Sequence, residues 1–148
     1  MRKIDTIVWH TAASGDEAAG THFDASADQI DDWHKDRGWD GIGYHYVVRW
    51  DGTVERGRTL SAIGAHAKPY NRNSIGICFS GHGDIARHSP LQEAAGVALT
   101  RALMDAFGVP AVRVVGHGEL VEGRTCPRSC VSMDAVRREL SRKPVITR

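Results

Sequence analysis

The spacing of apolar positions along the chain changes period several times, and each change marks a predicted element. Lys3–His10 (KIDTIVWH) gathers Ile4, Ile7, Val8 and Trp9 into a short run, as a buried strand does, and ends on His10. A polar loop rich in glycine and alanine continues to about Asp24. Ser26–Gly38 reads as a helix: Ser26 with Gln29 resembles a capping box, Ile30, Trp33 and Arg37 share one face, and Gly38 is a stop. Ile42–Trp50 (IGYHYVVRW) reads as a strand, Asp51-Gly52 as a hairpin turn, and Thr53–Arg58 as the partner strand. Alternation assigns Tyr44, Tyr46 and Val48 to one face and His45 and Val47 to the other. Ser74–Gly81 (SIGICFSG) is a further strand. Ser89–Gly108 is the clearest helix, with Ser89, Pro90 and Gln92 forming its start and Leu91, Ala95, Ala98, Ala102 and Phe107 its expected buried stripe. Ala111–His117 is a strand that delivers His117, a loop follows, and Ser132 to about Arg142 is a last helix with Met133, Val136 and Leu140 inward.

This order predicts an α/β fold: a single domain over residues 1–148, with a mixed central β-sheet flanked by helices. Ligands in such sheets gather beyond the strand C-termini, where His10 and His117 are both placed.

Composition narrows the function classes. A net charge of +1 argues against a nucleic-acid partner or an acidic membrane surface. No apolar run is long enough to span a bilayer. The N-terminus (MRKIDTIVWH) lacks the apolar region and small-residue site of a secretory signal, so synthesis in a reducing cytoplasm is expected, where a Cys126–Cys130 disulfide would be unusual. Eight histidines keep metal binding open.

His10, His117 and Cys126 together would suit a catalytic zinc site, which uses three protein ligands and one water. Spacing by itself favours a buried thiol and two packing or surface histidines. Likewise Tyr44 alone reads as a packing residue, Cys78 as a core thiol, His34 and His45 as structural or solvated, and His22, His82 and His88 as exposed. Trp33, Trp39 and Trp50 read as packing or rim residues, and the basic run after Val136 as a solvated helix face.

Longer segments change that weighting. Trp33–Arg58 (WHKDRGWDGIGYHYVVRWDGTVERGR) and Gly64–Gly81 (GAHAKPYNRNSIGICFSG) resemble the zinc-dependent N-acetylmuramoyl-L-alanine amidases, the family of the T7-lysozyme-like endolysins and the peptidoglycan recognition proteins. The resemblance runs in order from about Ile4 to Cys126. It implies a zinc cleft at one side of the sheet and one Zn2+ per chain, held by His10 (VWHTAAS), His117 (VVGHGE) and Cys126 (TCP). Cys130 is the competing thiol and lacks the cysteine-proline context. The resemblance makes Tyr44 and Arg124 catalytic and His66 and Asn71 substrate-binding cleft residues. Three departures stand out: the loop from His117 to Cys126 is longer by about one residue, Pro69 replaces an expected glycine, and Arg124 replaces a lysine. Arginine can hold an oxyanion but cannot supply a proton at neutral pH.

The implied reaction is hydrolysis of the amide joining N-acetylmuramic acid to L-alanine, with peptidoglycan or muropeptides as substrate. An endolysin reaching the wall through a phage-encoded membrane pore is the leading biology, and a monomer is expected. A cytoplasmic muropeptide-recycling amidase is the alternative, although such relatives usually carry aspartate as third ligand. A non-catalytic peptidoglycan-binding protein is the other, although those generally lack the cysteine. A contact with RNA polymerase, known in similar phage proteins, finds no evident partner tail here.

Overall fold

A computed structural model describes residues 1–16, 18–127 and 131–142. Its central sheet has five strands in the order β5-β4-β6-β1-β7, formed by β1 (Thr6–Thr11), β4 (Tyr46–Val48), β5 (Val54–Arg56), β6 (Ser74–Phe79) and β7 (Val114–Gly116). β4, β6, β1 and β7 run parallel, and only β5 is antiparallel, joined to β4 by the Asp51-Gly52 turn. The mixed sheet agrees with the expected fold class.

Helices cover both faces. Ile7, Trp9, Ile75, Ile77 and Phe79 pack into one core with α2 (Pro90–Phe107) and α4 (Met133–Ser141). Val47 and Cys78 pack on the other side with Ile30 of α1 (Ala27–Asp36). β1 is buried throughout its first five residues because both neighbours are strands and both faces are covered. The expected capping boxes form at Ser26–Gln29 and Ser89–Gln92, and Met133, Val136 and Leu140 point inward as expected.

Four local expectations are corrected. First, the polar loop after β1 contains a small hairpin, β2 (Gly15–Asp16) with β3 (Thr21–His22). Second, the loop after β7 begins with one helical turn, α3 (His117–Leu120), where Glu119 reaches back to accept the Gly116 N–H at 2.8 Å.

Third, α2 buries Gln92, Gly96, Thr100 and Leu103; of the expected stripe Ala95 and Phe107 pack partly buried against the core, whereas Ala98 and Ala102 are exposed and Leu91 is 64% exposed. Its inward face is small and polar because it meets specific partners. The Gln92 amide donates to the carbonyls of Val48 and Ser80, and Thr100 Oγ1 accepts the Trp9 indole N–H at 3.1 Å. A Cβ on Gly96 would lie 2.4 Å from the Phe79 ring.

Fourth, the strand expected over Ile42–Trp50 is regular only from Tyr46 to Val48. The preceding residues are held by irregular backbone bonds, such as His45 N–H to the Gly76 carbonyl and Arg58 N–H to the Tyr44 carbonyl, and by side chains. Asp31 accepts the Ile42 N–H, His34 Nδ1 accepts the Gly43 N–H, and Arg58 donates to the Ile42 carbonyl. Alternation therefore does not extend to Tyr44, which packs with Val47 and Cys78 while Tyr46 and Val48 join the opposite core.

His34 and His45 are buried and accept backbone N–H groups, the structural alternative for both; His22 and His82, expected to be exposed, are half-buried, and His88 stacks on Phe79 with ring centroids 4.3 Å apart. Arg37, expected on the helix face with Ile30 and Trp33, is instead the exposed C-cap of α1, whose buried residues are Ala27, Ile30 and His34.

Candidate metal centre

Parallel pairing builds the site. The register sets Trp9 of β1 against Gly116 of β7, so His10 and His117 emerge side by side where the two strands end. Their rings lie 4.5 Å apart. The segment from Gly118 to Cys126 then folds back, closed by a Gly118 N–H to Cys126 carbonyl bond of 2.9 Å. The turn leaves Cys126 Sγ 3.6 Å from His117 Nδ1 and 4.0 Å from His10 Nδ1. One nitrogen from each histidine and this sulfur all lie within 4.8 Å of one another.

The donor set fits zinc. Tetrahedral ligands at ordinary Zn–N and Zn–S lengths sit roughly 3.6 Å apart, near the separations found here. Burial first, then the neighbouring imidazoles of His66 and His117, pushes the His10 pKa well down, so its ring is neutral with a lone pair free. Burial and the Arg124 charge lower His117 in the same sense. Burial raises the Cys126 thiol, while the Thr11 N–H and hydroxyl and the Arg124 charge pull the other way. A bound cation would tip that balance to the thiolate. Cys130, the competing thiol, and its possible disulfide with Cys126 lie outside the described residues. Cys78 is a free, buried thiol, as expected.

A polar cleft of about 380 Å³ opens over the triad, walled by Thr11, Arg37, Tyr44, His82 and Arg124 among others. Tyr44 sets its ring 5.0 Å from that of His10. Burial, with the sulfurs of Cys78 and Cys126 close by, raises its phenol well above the ordinary value, so it stays protonated at neutral pH. Arg124 also lines the cleft, close enough for its charge to act on both His117 and Cys126.

The structure thus brings five of the seven sequence-derived residues to the cleft and places the other two behind it. His66 is 8% exposed and contacts His10 Nε2 through its Nδ1 at 2.9 Å. Asn71 turns its side-chain oxygen to the backbone N–H groups of His66 and Ala67, at 2.9 and 2.8 Å. Both residues shape the site from behind instead of lining it. Conversely, the sequence reading did not single out Arg37 or Thr11. Arg37 looked like part of a helix face, and its position at the end of α1 is the only local hint. Thr11 directly follows a proposed ligand, where backbone donors commonly meet a bound thiolate.

Comparison with known proteins agrees with this geometry. The sequence profile of the family described as N-acetylmuramoyl-L-alanine amidase matches residues 1–129. The endolysin of Enterobacteria phage K11 is 34% identical over 125 residues, covering 81% of this chain and 78% of that protein. The endolysin of Klebsiella phage KP32 is 36% identical over 120 residues, covering 78% and 75%. Among solved structures, the N-acetylmuramoyl-L-alanine amidase LysC from Clostridium intestinale superimposes with a TM-score of 0.83 at 30% identity, covering 96% of this chain and 88% of that one.

Proposed function

The chain belongs to the N-acetylmuramoyl-L-alanine amidase family, as a zinc-dependent peptidoglycan hydrolase, and on that premise we propose that it cleaves intact cell-wall peptidoglycan as an endolysin. The observation that carries the reading is the convergence of His10, His117 and Cys126 on the floor of an open polar cleft. The likeness to phage endolysins over three quarters or more of their length supports the biology. Delivery to the wall through a phage-encoded membrane pore, and action as a monomer, belong to the same proposal.

Zinc, when bound, supplies a Lewis acid and a water made acidic enough to attack at neutral pH. The chain's own residues do the rest. His10, His117 and Cys126 would hold the ion where the cleft opens, within reach of a substrate bound there. Arg124 is permanently charged and stabilises the oxyanion that develops as the carbonyl carbon becomes tetrahedral. Tyr44 keeps its proton at neutral pH and donates a hydrogen bond to the attacking water or the developing charge. The proton that the attacking water gives up is the one the leaving amine of L-alanine takes, relayed through solvent or Tyr44, because the Arg124 guanidinium does not titrate.

The test is a mass-spectrometric digest of purified sacculi, with chelator and then with zinc restored. Stem peptides with a free N-terminal alanine, lost with chelator and regained with zinc, are expected. Release from soluble anhydro-muropeptides but not from sacculi would replace the endolysin reading with the recycling one. Zinc-loaded, folded protein that releases nothing from either would leave a binding module.

A further inference from the structure

We propose that His66 and Ser74 are positioning residues that dictate which nitrogen of His10 faces the metal. The inference rests on reading the triad as a zinc site. Three contacts behind His10 form a chain whose direction follows from one end. Ser74 Oγ lies 2.7 Å from the Tyr70 carbonyl, which can only accept, so the serine hydroxyl spends its proton there. Toward His66 Nε2, 3.2 Å away, Ser74 Oγ therefore accepts, and His66 carries its proton on Nε2. His66 Nδ1 is then bare and accepts from His10 Nε2 at 2.9 Å. That leaves His10 Nδ1 unprotonated, and Nδ1 is the atom turned toward Cys126 Sγ. A proton placed anywhere else along the chain would set two donors or two acceptors face to face.

The fold reserves space for this arrangement. The His66 ring lies over two glycines, where a Cβ on Gly76 would come 2.6 Å from its Cγ and a Cβ on Gly64 2.6 Å from its Cδ2. Asn71 holds the backbone of His66 by accepting its N–H. His10 and Ser74 both belong to the β1–β6 pair, in register with Cys78 and Thr6 respectively, so the sheet itself holds the chain's two ends. His66 is thus a buried, oriented acceptor for a ligand's second nitrogen, a role that raises ligand basicity and fixes ring rotation.

Two measurements test this. Nitrogen-15 NMR of the metal-free protein reads the tautomers directly: His10 and His66 are both expected in the Nε2–H form. A wild-type His10 protonated on Nδ1 would overturn the proposal without reference to zinc or activity. Zinc affinity by chelator competition is the second. His66→Leu, which cannot accept, is expected to weaken zinc binding by about 10–100-fold. His66→Asn, whose amide oxygen takes the place of Nδ1, is expected to restore most of it. Equal zinc affinity in wild type and a folded His66→Leu protein would refute the role. If His66→Leu fails to fold, Ser74→Ala carries the test: a mixed His66 tautomer is expected, and an unchanged one refutes the chain. Wild-type protein that takes up no zinc would refute the metal reading itself, and the proposal with it.

Discussion

Part of the acid sensitivity can be traced to one half-buried ring. His88 stacks on Phe79 and lies 6.5 Å from Trp9, and neither of its ring nitrogens has a hydrogen-bond partner among the described residues. Burial, aided by Arg87, lowers its pKa from 6.5 to about 4. The folded state therefore keeps the ring neutral while the unfolded chain protonates near pH 6.5. Stability from this group is fully present above the unfolded value and is lost as pH falls through the window from 6.5 to 4. Linkage puts the loss at about 2 kcal/mol at pH 5. His88→Phe keeps the stacked ring and removes the titration. Urea denaturation of both proteins at pH 7.5 and pH 5 isolates the effect, because acid release of zinc is common to both and cancels in the difference. The variant is expected to gain about 2 kcal/mol over wild type on going from pH 7.5 to pH 5. Parallel losses in the two proteins would refute the reasoning. His45, also lowered to about 4 by burial, with Arg2 2.9 Å away, contributes acid sensitivity to both proteins alike.

Four further outcomes are expected. Cys126→Ala loses zinc and activity together, checked by metal analysis; stoichiometric zinc in the variant would remove Cys126 from the ligand set. Tyr44→Phe keeps zinc but lowers turnover by about 10²–10³ if its hydroxyl stabilises developing charge, and an unchanged rate would exclude that role. Arg124→Lys retains appreciable activity on sacculi because the positive charge persists, whereas a folded but inactive variant would mean that the planar fork is needed. Gly96→Ala places a methyl group 2.4 Å from the Phe79 ring and is expected to cost about 1–3 kcal/mol, read as a lower urea midpoint with unchanged slope.

Much of the chemistry was legible along the chain because strand ends and helix caps are local signals. The apolar run before His10 and the one before His117 each announced a buried strand and the point where it stops. Ser26, Ser89 and Gln92 announced helix starts by the side chain that satisfies the first free N–H groups. The family's cysteine-proline context singled out Cys126. Apolar periodicity misled at α2, because its inward face carries Gln92, Gly96 and Thr100, chosen to meet the polar and bulky partners Val48, Ser80, Trp9 and Phe79. It misled at Tyr44 because the segment before Tyr46 is held by side chains at Ile42 and Gly43 and by irregular backbone bonds at Gly43, Tyr44 and His45, not by a regular ladder.

By itself, then, the sequence determined the main strands and helices and the mixed α/β class, which rest on neighbours within a turn or a strand, while its resemblance to the amidase family picked out three metal-binding side chains. Only the tertiary structure decided that β1 and β7 pair with Trp9 against Gly116, which sets two distant histidines side by side. Only it moved His66 from the cleft to the back of His10, through a slot between Gly64 and Gly76 and a serine on another strand. The physical reason is common to both. A buried polar group must find its partner wherever the fold supplies one, and that partner's place in the chain is not encoded in any local period.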